Sequence, residues 1–120
     1  MLRARAARHP GQAALLETRI SGNARMRRIL RDPEQVAAHV DQARDLVARL
    51  AEALAARPFL AGESWSLADS FATAALARFR LHGFESWWAG TPVADYYARM
   101  KARSSFAAAE VADSGGERDL

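Results

Sequence analysis

The chain has 120 residues, a net charge of +3 at pH 7 and no cysteine. A chain of this length can form one domain with a hydrophobic core, and the absence of cysteine excludes disulfides, thiolate metal ligands and a cysteine nucleophile. No apolar run approaches the roughly 18 residues of a membrane span, so we predict no membrane partner. Half of the residues are apolar, but many are alanine and few are β-branched, which predicts an all-α protein.

The N-terminal residues are rich in arginine and contain no acid before Glu17. Mitochondrial targeting segments share this pattern, but nearly every basic residue of the chain is arginine, so base composition also explains it. The basic residues are not interleaved with aromatic ones, which argues against a nucleic-acid partner. We expect a cytoplasmic protein with an irregular segment at residues 1–10, a helical domain at 11–112 and a charged, glycine-rich, frayed tail at 113–120.

The first predicted helix follows residue 11 and ends near residue 30. Leucine, isoleucine and alanine recur over this stretch at roughly helical spacing, and Pro10 with Gly11 breaks any earlier helix. Ser21-Gly22-Asn23 lies in the middle of the segment. This combination predicts a kink or a close contact with another helix at that point.

A second helix has a clear start at Asp32. The Asp32 carboxylate can accept from the first free N–H groups, Pro33 suits the first helical position, and Gln35 occupies the capping-box position. Apolar residues every three or four positions then continue to about residue 57. The helix is expected to end there, because Pro58 disfavours helical backbone in the residue before it.

A third helix is predicted to begin at Ser66, in a Ser-x-x-Asp pattern that ends at Asp69. The Ser66 oxygen can accept from the N–H of Asp69, while the Asp69 carboxylate can accept from the N–H of Ser66, so the two residues cap the helix reciprocally. An apolar stripe through Leu67, Phe71 and Leu76 follows. This stripe predicts that the third helix is central and buried.

The rest of the chain is predicted to form two shorter helices. Residues 84–88 are predicted to form an irregular or single-turn segment that closes one end of the core. Thr91-Pro92 starts a helix by the combination of a capping side chain and a proline. Ser104-Ser105 separates it from a last short helix near residues 106–111.

No catalytic or metal-binding pattern is present, so we predict no catalytic residue and no metal. The three histidines are not spaced as metal ligands, and the glycines form no phosphate loop. Asp69 could act as a general base, but its capping role explains it sufficiently. Aromatic residues at the ends of elements either fill the core or line a ligand pocket, and we favour the core: Trp65, Trp87, Trp88, Tyr96 and Tyr97.

The order of these features resembles the C-terminal domain of cytosolic-type glutathione transferases over about residues 33–111. The resemblance consists of a long amphipathic helix, then Arg57-Pro58-Phe59-Leu60-Ala61-Gly62-Glu63, the Ser66 to Asp69 box, a buried helix, the helix that starts at Pro92, and Met100-Lys101-Ala102-Arg103 before a last short helix. It implies a helical bundle of about five helices. In that family the Ser-x-x-Asp box starts the central helix and serves folding rather than chemistry.

The resemblance also implies what a complete family member contains. A thioredoxin-like domain normally precedes the helical domain and carries the glutathione site and the catalytic residue, and the residues before His9 are too few to hold it. We therefore expect no cofactor in this chain, with glutathione expected only for the complete two-domain parent. By position, the first helix looks like the one that lines the hydrophobic-substrate site and the dimer contact, and Arg19, Asn23 and Met26 are candidates for pocket-facing residues.

Two functions remain open at this point. The chain can be the helical half of a glutathione transferase or a related glutathione-dependent enzyme, inactive alone and dependent on a thioredoxin-like domain. It can instead be a stand-alone, non-enzymatic module for dimerisation, interaction or ligand binding. Either function predicts a homodimer or a thioredoxin-like partner, and either allows a small hydrophobic ligand.

Overall fold

A computed structural model describes residues 10–113 of the chain. Within that range there are five α-helices, no β-strand and two short 3-10 segments, Pro10–Gln12 and Glu85–Trp87. The prediction of an all-α bundle of about five helices is confirmed. The helices, in chain order, are α1 Ala13–Ile29, α2 Pro33–Leu54, α3 Leu67–Leu81, α4 Pro92–Lys101 and α5 Ser104–Ala108.

The chain divides into two compact units, residues 1–42 and residues 43–120, here called the N-terminal and C-terminal units. The boundary falls within α2. None of the helices formed by the described residues is long and apolar enough to cross a lipid bilayer.

In the described part of the N-terminal unit, Leu16 is the only buried residue. Helix α1 continues without interruption through Gly22, and no atom lies within 4 Å of where a Cβ would stand on that glycine. The expectation of a kink or a close helix contact at Ser21-Gly22-Asn23 stays a prediction. A single glycine lowers the stability of a helix by only about 1 kcal/mol relative to alanine, so the helix-forming residues on either side keep α1 helical at Gly22.

The start of α2 is capped by Asp32. Asp32 Oδ1 accepts from the N–H groups of Glu34 at 3.1 Å and Gln35 at 3.3 Å, while Oδ2 accepts from the Gln35 side-chain amide at 2.7 Å. The Gln35 side chain thus binds the capping carboxylate. These hydrogen bonds, led by the side-chain amide of Gln35, lower the pKa of Asp32.

The hydrophobic core lies in the C-terminal unit. It joins the second half of α2 to α3, α4 and the residue after the 3-10 turn, with Phe59 and Leu60 of the intervening loop packed against it. Its buried side chains are Val47, Leu54, Ala72, Leu76, Ala77, Trp88, Val93, Tyr96, Tyr97 and Met100. Three of the five candidate aromatic residues are therefore core residues.

Helix α3 is central to this unit, but it buries a different face from the predicted one. Asp69, Ala72, Leu76 and Ala77 are buried, whereas Leu67 is 68% exposed and Phe71 is 71% exposed. The apolar stripe predicted through Leu67 and Phe71 is wrong at its N-terminal end. The packed side of the helix there consists of a carboxylate and an alanine, which hydrophobicity alone does not identify.

The last two helices differ from each other in how well they were predicted. Helix α4 begins as expected, with Thr91 Oγ1 accepting from the N–H of Val93 at 3.2 Å and Pro92 at the first helical position. Helix α5 begins at Ser104 and ends at Ala108, earlier than the predicted 106–111. Glu110 has a φ of +50°, outside the helical region, so the helix cannot continue to Val111.

Asp113 corrects the predicted frayed tail at 113–120. It is buried, and its Oδ2 accepts from Arg80 at 2.8 Å and from the Tyr97 hydroxyl at 3.0 Å, and forms an ion pair with Lys101. These contacts fix the chain through residue 113. The rest of that segment, 114–120, and most of the predicted irregular segment, 1–9, lie outside the described residues.

Candidate functional site

The carboxylate of Asp69 is fully buried and accepts four hydrogen bonds. Oδ1 accepts from the backbone N–H of Leu60 at 3.0 Å and from the Tyr96 hydroxyl at 2.9 Å. Oδ2 accepts from the N–H of Ser66 at 2.8 Å and from the Ser66 hydroxyl at 3.1 Å. The structure thus contains the Ser66–Asp69 capping box, and it adds donors from a loop and from α4.

These hydrogen bonds determine the protonation of both partners. Burial raises the pKa of Asp69, but the donors from Leu60, Ser66 and Tyr96 outweigh it and hold that pKa below its usual value. Burial and the neighbouring carboxylate raise the pKa of the Tyr96 phenol well above its ordinary range. Since a carboxylate offers about four lone-pair sites, Asp69 has none left with which to accept a substrate proton. Asp69 is a structural carboxylate rather than a general base.

The loop before α3 is held by two further contacts. Phe59 and Gly62 exchange backbone hydrogen bonds of 3.1 Å each, and Gly62 has a φ of +132°, which favours glycine. The Arg99 guanidinium donates to the Pro58 carbonyl at 2.8 Å and lies 5.5 Å from the centre of the Phe59 ring. The loop is therefore fixed to both α3 and α4.

A cleft of about 310 Å³ lies beside α3 within the C-terminal unit. One wall is the side of α3 that carries Ser70, Thr73 and Ala74, and Trp65 stands just before that helix. Thr73 Oγ1 donates to the Asp69 carbonyl at 2.6 Å, one turn earlier in α3, so this hydroxyl binds the backbone of its own helix.

The opposite wall is formed by the end of α4, by α5 and by the residues that follow. It presents the apolar side chains of Met100, Phe106 and Val111. The Arg103 guanidinium carbon lies 4.8 Å from the centre of the Trp65 ring, within the range of a cation–π contact. Among residues 10–113, Arg103 is the only charged residue that lines the cleft.

The candidate aromatic residues thus separate by position. Trp65 lines the cleft, whereas Trp88, Tyr96 and Tyr97 are buried in the core and Trp87 packs against it. Arg99 and Arg103 were not predicted to have a role. The only signal in the sequence is that two arginines, four residues apart, follow the tyrosine pair. This spacing does not reveal the loop and the tryptophan that the arginines contact.

The three pocket candidates of α1 lie in the N-terminal unit. Arg19, Asn23 and Met26 are all exposed, and Met26 is 53% exposed. Spacings of four and three residues put them on one side of the helix. The cleft is lined by residues of the C-terminal unit, so the assignment of these three residues to a pocket stays a prediction.

Residues 10–113 contain no group of three or more histidine and acidic side chains arranged to hold a metal ion. The carboxylates of Asp69 and Asp113 are instead occupied by hydrogen bonds and ion pairs from the chain itself.

Together, the fold and the site define a small helical domain whose central helix is capped by a buried carboxylate and whose cleft has ligand dimensions. The family model for the glutathione S-transferase C-terminal domain matches residues 33–99, which is more than half of the chain. The chain belongs to this family. The predicted family resemblance is confirmed.

The chain is also similar to a curated protein from Sphingobium chlorophenolicum, named tetrachloro-p-hydroquinone reductive dehalogenase. The two are 44% identical over 71 residues, which cover 56% of this chain and 29% of the relative. The chain therefore spans less than a third of the length of that relative. No solved structure gave a significant match.

We predict that Asp69→Ala lowers the free energy of unfolding by about 3–5 kcal/mol, because it leaves the buried donors of Leu60, Ser66 and Tyr96 without an acceptor. Chemical denaturation monitored by circular dichroism measures this. The matched control is Asp95→Ala, since Asp95 is exposed near the start of α4 and its removal should cost under about 1 kcal/mol. Equal stability of Asp69→Ala and the native chain would show that the network does not form.

Proposed function

We propose that this chain supplies the helical, hydrophobic-substrate side of a glutathione S-transferase-like protein, whose glutathione site belongs to a thioredoxin-like domain. The activity of the assembled protein is glutathione conjugation or a related glutathione-dependent reaction. Family membership over residues 33–99 and the similarity to a protein named as a reductive dehalogenase support this proposal. The cytoplasmic location expected from the sequence remains a prediction alongside it.

The observation that carries the proposal is the outer face of α3, which consists of Leu67, Phe71, Ala74 and Arg78. All four residues are exposed, and the opposite side of the same helix is in the core. Two large apolar side chains one turn apart, each about 70% exposed, are an arrangement typical of surfaces that another protein or domain covers. A thioredoxin-like domain is the partner that the family implies.

The chemistry of the described residues fits a domain that does not react alone. Asp69 has all its acceptor sites filled, and the described residues that line the cleft include a single cation and no acid. Activation of a thiol needs a group that stabilises the thiolate. In this proposal that group comes from the thioredoxin-like domain.

A second candidate function is that of a stand-alone interaction module. The same exposed Leu67 and Phe71 favour it, because an uncovered apolar face can join two copies of the chain. The reading frame directly upstream of the coding sequence distinguishes the two functions. An in-frame thioredoxin-like segment supports the first, and its absence favours the second.

We predict that the chain alone binds no glutathione in isothermal titration up to millimolar concentration. We also expect no conjugation of 1-chloro-2,4-dinitrobenzene above the rate without protein, because the proposal assigns the thiol-activating group to another domain. A micromolar affinity for glutathione would contradict the division of roles between the two domains.

We further predict that the isolated chain self-associates through the outer face of α3 and that Phe71→Glu shifts it to a monomer in sedimentation velocity. The charge has this effect because a carboxylate would have to be desolvated in the contact. Leu46→Glu is the comparison variant, since Leu46 is 42% exposed on α2, and it should leave the association unchanged. A native chain that sediments as a monomer and binds no hydrophobic dye contradicts the prediction, as does dissociation by Leu46→Glu alone.

A further inference from the structure

We propose that residues 110–113, here called the C-terminal strap, form a unit that Asp113 latches to the helices and that can detach while α3 and α4 stay folded. The latch is the Asp113 carboxylate, which lies in a cradle formed by Arg80, Tyr97 and Lys101. This inference concerns the C-terminal unit alone and does not rest on the proposed glutathione chemistry.

The C-terminal strap is attached to the rest of the unit mainly by side chains. The Glu110 N–H donates to the Ala107 carbonyl at 3.1 Å, but in the described part of the chain the backbone of residues 111–113 forms no hydrogen bond. Val111 is half-buried and packs against the core. Among the described residues, Asp113 makes all the polar side-chain contacts of the strap. A segment with so few attachments can open locally without unfolding its neighbours.

The cradle does not need the strap to hold its members in place, because each of them has a second contact. Arg80 Nε lies 3.2 Å from Glu85 Oε1. The Lys101 ammonium lies 5.8 Å from the centre of the Tyr97 ring, and that ring is buried with its centre 6.0 Å from the ring of Trp88, edge to face. Helices α3 and α4 therefore position the three donors, and the carboxylate is an occupant that can leave.

The charges around the latch keep it closed at neutral pH. Arg80 from α3 and Lys101 with the Tyr97 hydroxyl from α4 all contact Asp113 Oδ2, while Glu85 of the 3-10 turn shares Arg80. Burial raises the pKa of Asp113, but the donors, led by Lys101, outweigh it and hold that pKa below its usual value. Because the folded pKa is the lower one, the latch is fully charged above the unfolded value and weakens only as the pH falls through the folded pKa.

The backbone of the strap opposes the latch. Glu110 has a φ of +50°, a conformation that residues other than glycine, asparagine and aspartate rarely adopt because the Cβ crowds the following carbonyl. The closed strap holds Glu110 in this conformation, and opening releases it. The free-energy difference between the closed and open strap is therefore smaller than the contacts of Asp113 alone would give.

Opening of the strap also changes the cleft. Val111 lies in the strap and lines the cleft beside Phe106 of α5. When the strap detaches, this part of the wall leaves with it, so the latch determines how open the cleft is on that side.

The test uses the absence of cysteine from the full chain. Val111→Cys introduces a single thiol, and its rate of reaction with 4,4′-dithiodipyridine, an uncharged reagent, reports how often the strap is open. We expect Asp113→Asn in this background to raise the rate about tenfold, because the amide loses the hydrogen bonds that a charged carboxylate accepts. Lys101→Gln should raise the rate as well, since it removes one donor of the cradle. Circular dichroism should show the same helix content in all these chains.

Two controls separate opening of the strap from other causes of a faster reaction. Glu110→Gln makes the same change of charge at an exposed residue of the strap and should leave the rate at position 111 unchanged. Ala108→Cys places the thiol at an exposed position at the end of α5, where Asp113→Asn should not alter the rate. The proposal is overturned by an unchanged rate at position 111 in Asp113→Asn, by an equal rise in either control, or by a loss of helix content that accompanies the faster reaction.

Discussion

The C-terminal unit is organised around one buried carboxylate. Asp69 connects the loop before α3, through the N–H of Leu60, to the start of α3, through Ser66, and to α4, through the Tyr96 hydroxyl 27 residues away. Each donor is stabilised by the charge, and the charge is tolerable at full burial only because all the donors are present. Loop, central helix and second core helix therefore depend on the same group.

A second polar centre holds the other end of the same helices. Asp113 joins Arg80 near the end of α3 to Lys101 and Tyr97 of α4, and burial together with the carboxylate raises the pKa of Tyr97 well above its ordinary range. With Asp69 at the first turn of α3, the two centres connect α3 and α4 at both ends of α3. The cleft lies along this supported pair, and the outer face of α3 is exposed. The core contacts and the proposed docking surface thus use opposite sides of one helix.

How much the sequence revealed depended on the distance over which each interaction acts. The Ser66–Asp69 box and the Thr91-Pro92 start were predictable because each involves residues within four positions of one another. The bonds from Tyr96 to Asp69 and from Arg80 to Asp113 span 27 and 33 residues, and no local pattern encodes them. The exposure of Leu67 and Phe71 was missed for another reason: hydrophobicity shows that side chains are apolar but not which of them pack in the core of their own unit. Arg103 and Trp65 are 38 residues apart in the sequence, and no local pattern encodes their contact either.

The most direct test of the central role of Asp69 is its own titration, followed by the ¹³C chemical shift of its side-chain carboxyl group from pH 7 downwards. The account predicts a pKa below the value of about 3.9 in an unfolded chain. With the folded pKa lower than the unfolded one, the carboxylate contributes its full stabilisation above the unfolded value, and this contribution is lost as the pH falls through the folded pKa. Unfolding should accompany protonation in that acidic range. A folded chain in which Asp69 titrates at or above 3.9 would contradict the account.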